Sequence, residues 1–106
     1  MKKQIVVIGL GKFGTSVATE LYQLGHDVLA IDLKEKNVQD MLGHVTYSVK
    51  VDATNETVLD DLGIPNFDVA VVSIGSDIQA SILVNRGFIN IIVLAVLEAK
   101  DFFMQL

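Results

Sequence analysis

The sequence predicts an α/β domain: a doubly wound parallel sheet of about five strands with helices on both faces. Continuous apolar runs, typical of strands buried on both faces of a parallel sheet, alternate with segments of helical periodicity. Such alternation calls for parallel strands joined by right-handed crossovers. A chain of 106 residues suffices for one domain. We expect that domain to span residues 1–106, with a tail that is truncated or variant after about residue 83.

The apolar runs set the predicted strands, which are Ile5–Ile8, Val28–Ile31, Tyr47–Val51, Val69–Val72 and Ile89–Val96. Helical spacing of apolar residues predicts the segments between them. The inward-facing residues of the first three helices are expected to be Phe13, Val17, Leu21 and Leu24, then Val38, Met41 and Leu42, then Val58, Leu59 and Leu62. A fourth helix is predicted after residues 75–77, ending at Gly87, and the last ten residues are compatible with a helix.

Composition excludes several function classes. The net charge of -5 disfavours a nucleic-acid partner, which needs a basic surface. The absence of cysteine excludes disulfides, thiolate catalysis and cysteine-ligated zinc, and no metal site is predicted. No apolar run reaches the length of a membrane span or a signal peptide. We therefore expect a cytoplasmic protein.

A glycine-rich motif follows the first predicted strand directly. Its residues, Gly9-Leu10-Gly11-Lys12-Phe13-Gly14, match G-x-G-x-x-G and open an amphipathic helix, the context that a dinucleotide-binding loop requires. Gly9 allows the tight turn, Gly11 lets a pyrophosphate approach the backbone, and Gly14 lets the helix pack close to the strand. The helix amides and dipole then attract phosphates. The alternative is a tight turn without a ligand.

Asp32 ends the second predicted strand, 23 residues after Gly9. A carboxylate there accepts the hydroxyls of an adenosine ribose and favours NAD over NADP, whose 2′-phosphate would meet a like charge. The alternatives are a solvated strand end or a cap for the next helix. The loop and this acid together predict a Rossmann-type domain that binds NAD(H), with Leu33 and Lys34 beside the acid in the candidate site.

Further candidates lie at the same carboxyl edge of the sheet. The Asp52-Ala53-Thr54 turn suits an adenine base, although Thr54 or Asn55 could instead cap the following helix. Lys12 could reach a terminal phosphate or be a solvated surface lysine. Ser73-Ile74-Gly75 would face the second half of a dinucleotide or form an ordinary turn.

The two histidines lie in connections on the remote side of the sheet. His26 and His44 each follow a glycine and have no serine or carboxylate partner placed to make them a catalytic base. A nucleophile, a base and an orienting group cannot be assembled from this chain, so no catalytic residue is predicted.

These residues, in this order and spacing, resemble the N-terminal nucleotide-binding domain of bacterial Trk/Ktr potassium-uptake regulatory subunits, also called KTN or RCK domains. The resemblance runs from about Lys3 to Leu83. It is carried by Ile8 to Gly14, Gly25-His26-Asp27-Val28, Asp32, Asp52-Ala53-Thr54, Leu62-Gly63-Ile64, Phe67-Asp68, Ser73-Ile74-Gly75 and Ile78-Gln79-Ala80-Ser81. Two features depart from the family's pattern: Lys12 replaces the usual arginine, and the helix after Leu83 is cut short at Gly87.

The resemblance implies a regulatory module without enzymatic activity. Such domains bind NAD(H) or ATP/ADP, assemble as dimers and octameric rings, and dock on the cytoplasmic side of a potassium-translocating membrane subunit, which nucleotide exchange gates. Two other interpretations use the same loop. One is the cofactor half of an NAD-dependent dehydrogenase, which would need a substrate domain with a catalytic acid or base. The other is an assembly domain that has lost its ligand. The intact glycines and Asp32 argue against it, because nothing structural is expected to require Asp32.

Overall fold

The computed structural model describes residues 2–73 and 91–93, the last three by their backbone. The strands are β1 (Gln4–Ile8), β2 (Asp27–Asp32), β3 (Tyr47–Lys50), β4 (Val69–Val72) and β5 (Ile91–Val93). The helices are α1 (Lys12–Gln23), α2 (Glu35–Met41) and α3 (Glu56–Asp61), followed by a 3₁₀ turn (Ile64–Asn66) that the sequence pattern did not predict. The predicted fourth helix and the tail lie outside the described residues.

The strands form one parallel sheet in the order β3-β2-β1-β4-β5. The predicted parallel α/β fold is therefore confirmed. The chain first adds strands on one side of β1 and then continues on its other side, so the winding reverses between β1 and β4. In open parallel sheets, ligands bind outside the carboxyl ends of the strands at such a reversal point.

Both faces of the sheet are covered, because alternate side chains of each strand point to opposite faces. On one face, Leu59 of α3 and Ile64 of the 3₁₀ turn pack in a cluster with residues such as Ile8. On the other, Ala18 of α1 and Met41 of α2 pack in a second cluster. The buried strands thus have a helical layer on either side, as predicted.

Two residues predicted to face the core are exposed. Leu24 and Leu42 are 66% and 54% accessible. Each is the capping residue at the end of its helix, where the chain leaves for a glycine with positive φ and turns toward the next strand. Each helix therefore ends one residue before the apolar pattern in the sequence ends, so the last leucine of the pattern is not buried. After α2 it is Val45 that is buried, and it forms an isolated bridge with Leu42.

The end of α2 gives a direct test of this boundary. Met41→Ala should lower the free energy of unfolding by about 2–5 kcal/mol, because Met41 is buried and its removal leaves a cavity. Leu42→Ala should change it by less than about 0.5 kcal/mol, the usual range for an exposed position. Urea denaturation of the two variants measures both effects. Equal losses would show that Leu42 also belongs to the core.

Candidate functional site

The loop between β1 and α1 leads into a helix whose N-cap residue, Gly11, makes no side-chain capping bond. Gly9, with φ of 96°, turns the chain out of β1, and its amide donates to the Ile31 carbonyl at 2.8 Å. Among the described residues no side chain caps α1, and the first turn of this helix carries no acidic residue. Lys12 opens the helix, is exposed, and has no ion pair with any described residue. Amides and dipole at such an end favour an anion.

Close packing at Gly14 fixes the position of this helix. A Cβ on Gly14 would collide with the Gly9 carbonyl oxygen and the Ser73 hydroxyl. The close approach of helix and strand predicted for this glycine is confirmed. Ser73, at the end of β4, is buried, and its hydroxyl donates to the Gly9 carbonyl while its amide donates to the Ile8 carbonyl at 2.9 Å. In this structure the Ser73 hydroxyl therefore holds the glycine loop.

Asp32 links the second strand to the same loop. Its Oδ1 accepts a hydrogen bond from the Leu10 amide at 3.1 Å. Its Oδ2 accepts from the Lys34 amide at 3.1 Å and from Asn37 Nδ2 at 2.8 Å. Lys34 is the N-cap residue of α2, so Asp32 also supports the start of that helix without being its cap. The carboxylate is half-buried and held on both oxygens.

The turn after β3 is the third part of the candidate site at the carboxyl edge of the sheet. The Thr54 amide and hydroxyl both donate to Asp52 Oδ1, at 2.9 and 2.6 Å. The bond from the Thr54 hydroxyl, and to a smaller extent the bond from its amide, holds the pKa of the exposed Asp52 carboxyl below its ordinary value. Asn55 caps α3 by accepting from the Val58 amide at 3.3 Å. Of the two capping residues considered, the structure thus uses Asn55 and leaves Thr54 with Asp52.

An open cleft joins these parts at the carboxyl edge of the sheet. It is lined by Ile8, Gly9, Ile31, Asp32, Leu33, Val51, Asp52, Ala53 and Thr54. Its lining thus combines the polar side chains of Asp32, Asp52 and Thr54 with aliphatic side chains. A flat, partly apolar group with hydroxyls and an anionic tail fits such a surface.

The predicted candidates fall into three groups. Gly9, Asp32, Leu33 and the Asp52–Thr54 turn line the cleft. Gly11, Lys12, Phe13 and Gly14 surround the start of α1, while Leu10 and Lys34 contribute amides to Asp32. Ser73 is buried at the end of β4 and bonded to the glycine loop, whereas Ile74 and Gly75 lie outside the described residues. As contacts of a ligand, all of these residues stay predictions.

Sequence reasoning missed one residue of this site. Asn37, in α2, contacts the predicted ribose acid directly. The available signal was an amide side chain five residues after Asp32, near the start of the next helix. A strand-end carboxylate followed by a helix can be reached from that position, but the sequence alone does not tell which way the side chain turns. His26 lies at the opposite edge, where its Nδ1 accepts from the Lys3 amide at 3.1 Å.

A parallel sheet with a glycine loop after its first strand and a carboxylate at the end of its second strand is typical of Rossmann-type nucleotide-binding folds. Residues 5–98 match the family described as TrkA-N domain. This chain belongs to the TrkA-N domain family. The match also confirms the resemblance to Trk/Ktr potassium-uptake subunits.

Individual relatives agree with this assignment. Over 81 residues, 76% of this chain, it is 48% identical to Ktr system potassium uptake protein A of Bacillus subtilis. Over 83 residues, 78% of this chain, it is 46% identical to Ktr system potassium uptake protein C of the same organism. The matched segments amount to 36% and 38% of those proteins, so the chain spans little more than a third of their length.

A solved structure supports the fold at low sequence identity. The Kef C-terminal domain of Shewanella denitrificans in its AMP-bound form is similar with a TM-score of 0.67 at 21% identity, covering 85% of this chain and 57% of that one. Among the described helices, none has the length and apolar character needed to cross a bilayer.

The bonds at Asp52 give a prediction on its pKa. Thr54→Val removes the hydroxyl donor, so the Asp52 pKa should rise toward its ordinary value, as NMR titration of the carboxyl carbon measures. Because the folded pKa is lowered, the interaction is present at neutral pH and is lost as the pH falls through that pKa. Thr57→Val, at an exposed position of α3, is the control and should leave the Asp52 pKa unchanged. An unchanged pKa in Thr54→Val would contradict the assignment.

Proposed function

We propose that this domain binds an adenine nucleotide, NAD(H) or alternatively ATP/ADP, and thereby regulates a potassium-translocating membrane subunit. The observation that carries the proposal is the Leu10 amide bonded to Asp32 Oδ1 at 3.1 Å. It brings the phosphate-attracting loop and the ribose-binding acid into one site. The names of the Ktr relatives support the potassium-uptake role, and the AMP-bound neighbour supports an adenine nucleotide as the ligand.

Each part of the cleft suits one part of such a ligand. The uncapped start of α1, with Gly9, Gly11, Gly14 and Lys12, takes the phosphates. Asp32 takes the ribose hydroxyls.

The base lies between the exposed Leu33 side chain and the turn after β3, beside the buried Ala53. In NAD(H), the second ribose and the nicotinamide extend toward Ser73, which follows β4. In ATP, the third phosphate stays near Lys12, which makes this lysine the residue most able to distinguish the two ligands.

The domain acts as a regulator, without turnover of its own, and works in the cytoplasm on the inner face of the membrane. As the family resemblance implies, copies of the chain assemble as a dimer or a larger ring that docks on the membrane subunit. Nucleotides change the conformation of that assembly only through contacts that differ between its states.

Incubation with NADH and common keto acids or aldehydes should leave the NADH absorbance constant, whereas protein-dependent oxidation would favour the dehydrogenase alternative.

The test of the site compares two aspartates at opposite ends of one strand. Asp32→Asn should weaken NADH binding by roughly 10- to 150-fold, the equivalent of about 1.5–3 kcal/mol for hydrogen bonds to a charged group. Asp27→Asn is the control, because Asp27 begins β2 at the remote edge, where it pairs with Lys2 at 3.3 Å. Calorimetric titration of NADH and NADPH into wild type and both variants measures the effect. Equal affinity of the wild type for NADH and NADPH, or equal losses in both variants, would contradict the proposed role of Asp32.

The regulatory part needs a separate measurement. Proteoliposomes that hold a Ktr-type potassium-translocating subunit should show rubidium flux that depends on the added chain and differs between ATP and NADH. The same vesicles without the chain are the control. If calorimetry shows nucleotide binding but the flux is the same with either nucleotide, the proposed binding site would stand and the proposed regulation would be rejected.

A further inference from the structure

Asn37 contacts the one carboxylate on which the proposed recognition of ribose depends. It lies in α2, is half-buried, and its Nδ2 is 2.8 Å from Asp32 Oδ2. Because an ionised carboxylate only accepts hydrogen bonds, the amide must present its NH₂ group to it. The contact therefore fixes the orientation of both side chains.

The partners of Asp32 divide its two oxygens unequally. A carboxylate offers about four acceptor positions, two on each oxygen. Oδ2 receives the Lys34 amide and Asn37, which fills it, whereas Oδ1 receives only the Leu10 amide among the residues that the structure describes. The open acceptor position is thus on Oδ1, the oxygen that already faces the glycine loop.

We propose that Asn37 is a positioning residue for ribose recognition, one that keeps Asp32 Oδ2 occupied so that the free acceptor position of Oδ1 meets a ribose hydroxyl. The inference rests on the proposed function. Rotation of a carboxylate about its last torsion is soft, with a broad minimum. Two backbone amides hold Asp32 from the loop and from the start of α2, and the Asn37 side chain is its third anchor. Without it, the carboxylate gains rotational freedom and the hydroxyl contact weakens.

A ligand pair isolates this effect from general damage. ADP carries both ribose hydroxyls and 2′,3′-dideoxy-ADP carries neither, so the ratio of their affinities reports the hydroxyl contacts alone. Asn37→Ala removes the amide and leaves a residue of higher helix propensity, so α2 should persist. The control is Gln39→Ala in the same helix, which removes an exposed amide that donates to Glu35 Oε1 at 2.7 Å and does not contact Asp32.

Calorimetric titration of both ligands into wild type and the two variants of the full chain is the experiment. We expect the wild type to prefer ADP, and Asn37→Ala to lower the ADP affinity by about three- to tenfold, part of the loss typical for a hydrogen bond to a charged group. The dideoxy ligand should change by less than about twofold, and Gln39→Ala should change neither affinity.

Three results would overturn the inference. The first is an equal loss of affinity for both ligands in Asn37→Ala, which would mean a purely structural role. The second is a wild type that binds both ligands equally well, and the third is an Asn37→Ala variant that binds both ligands as tightly as the wild type does. No binding of ADP to the wild type would overturn the adenine-nucleotide site itself, and this inference with it, so the two failures are distinguishable.

Discussion

The end of β1, the first turn of α1 and the end of β4 meet in one tight contact. Gly9, Gly14 and Ser73 share a space that has no room for a further carbon atom. Two carbonyls at the end of β1 accept bonds from Ser73, so the loop is held from the neighbouring strand. The direction of α1, and with it the placement of its uncapped N-terminus, depends on this contact. Close-packed protein interiors have low compressibility and therefore transmit such steric constraints to neighbouring elements.

The sequence predicts most of this framework because the framework uses strong local signals. Buried parallel strands produce continuous apolar runs, and β1, β2 and β4 lie where those runs lie, to within a residue. The glycine spacing predicts the loop because each glycine answers a separate steric requirement. Gly14 shows this most directly, since its neighbours leave no space for a side chain.

Weaker signals explain what the sequence did not predict. Leu24 and Leu42 continue an apolar pattern past the residue where each helix ends, and periodicity carries no information about that end. The bond of Asn37 to Asp32 depends on the angle at which α2 leaves its strand. Ser73 ends a strand at the predicted edge, but the bond of its hydroxyl to the Gly9 carbonyl could not be predicted from the sequence. Side-chain direction at a strand end is set by tertiary packing, which a local pattern does not contain.

The electrostatics of the cleft reconcile an acidic chain with an anionic ligand. The net charge is -5, and two carboxylates stand at the edge where phosphates are proposed to bind. The two carboxylates have different partners. Asp52 accepts from Thr54 in the turn after β3, while Asp32 is held between the loop and α2. The start of α1 has no acidic residue in its first turn and carries Lys12, so the attraction for an anion is concentrated there. In the proposed function, a carboxylate next to this positive end repels a phosphate on the ribose and accepts its hydroxyls. The same arrangement would then orient the proposed nucleotide, because only one direction along the cleft places its phosphates at the helix and its sugar at the acid.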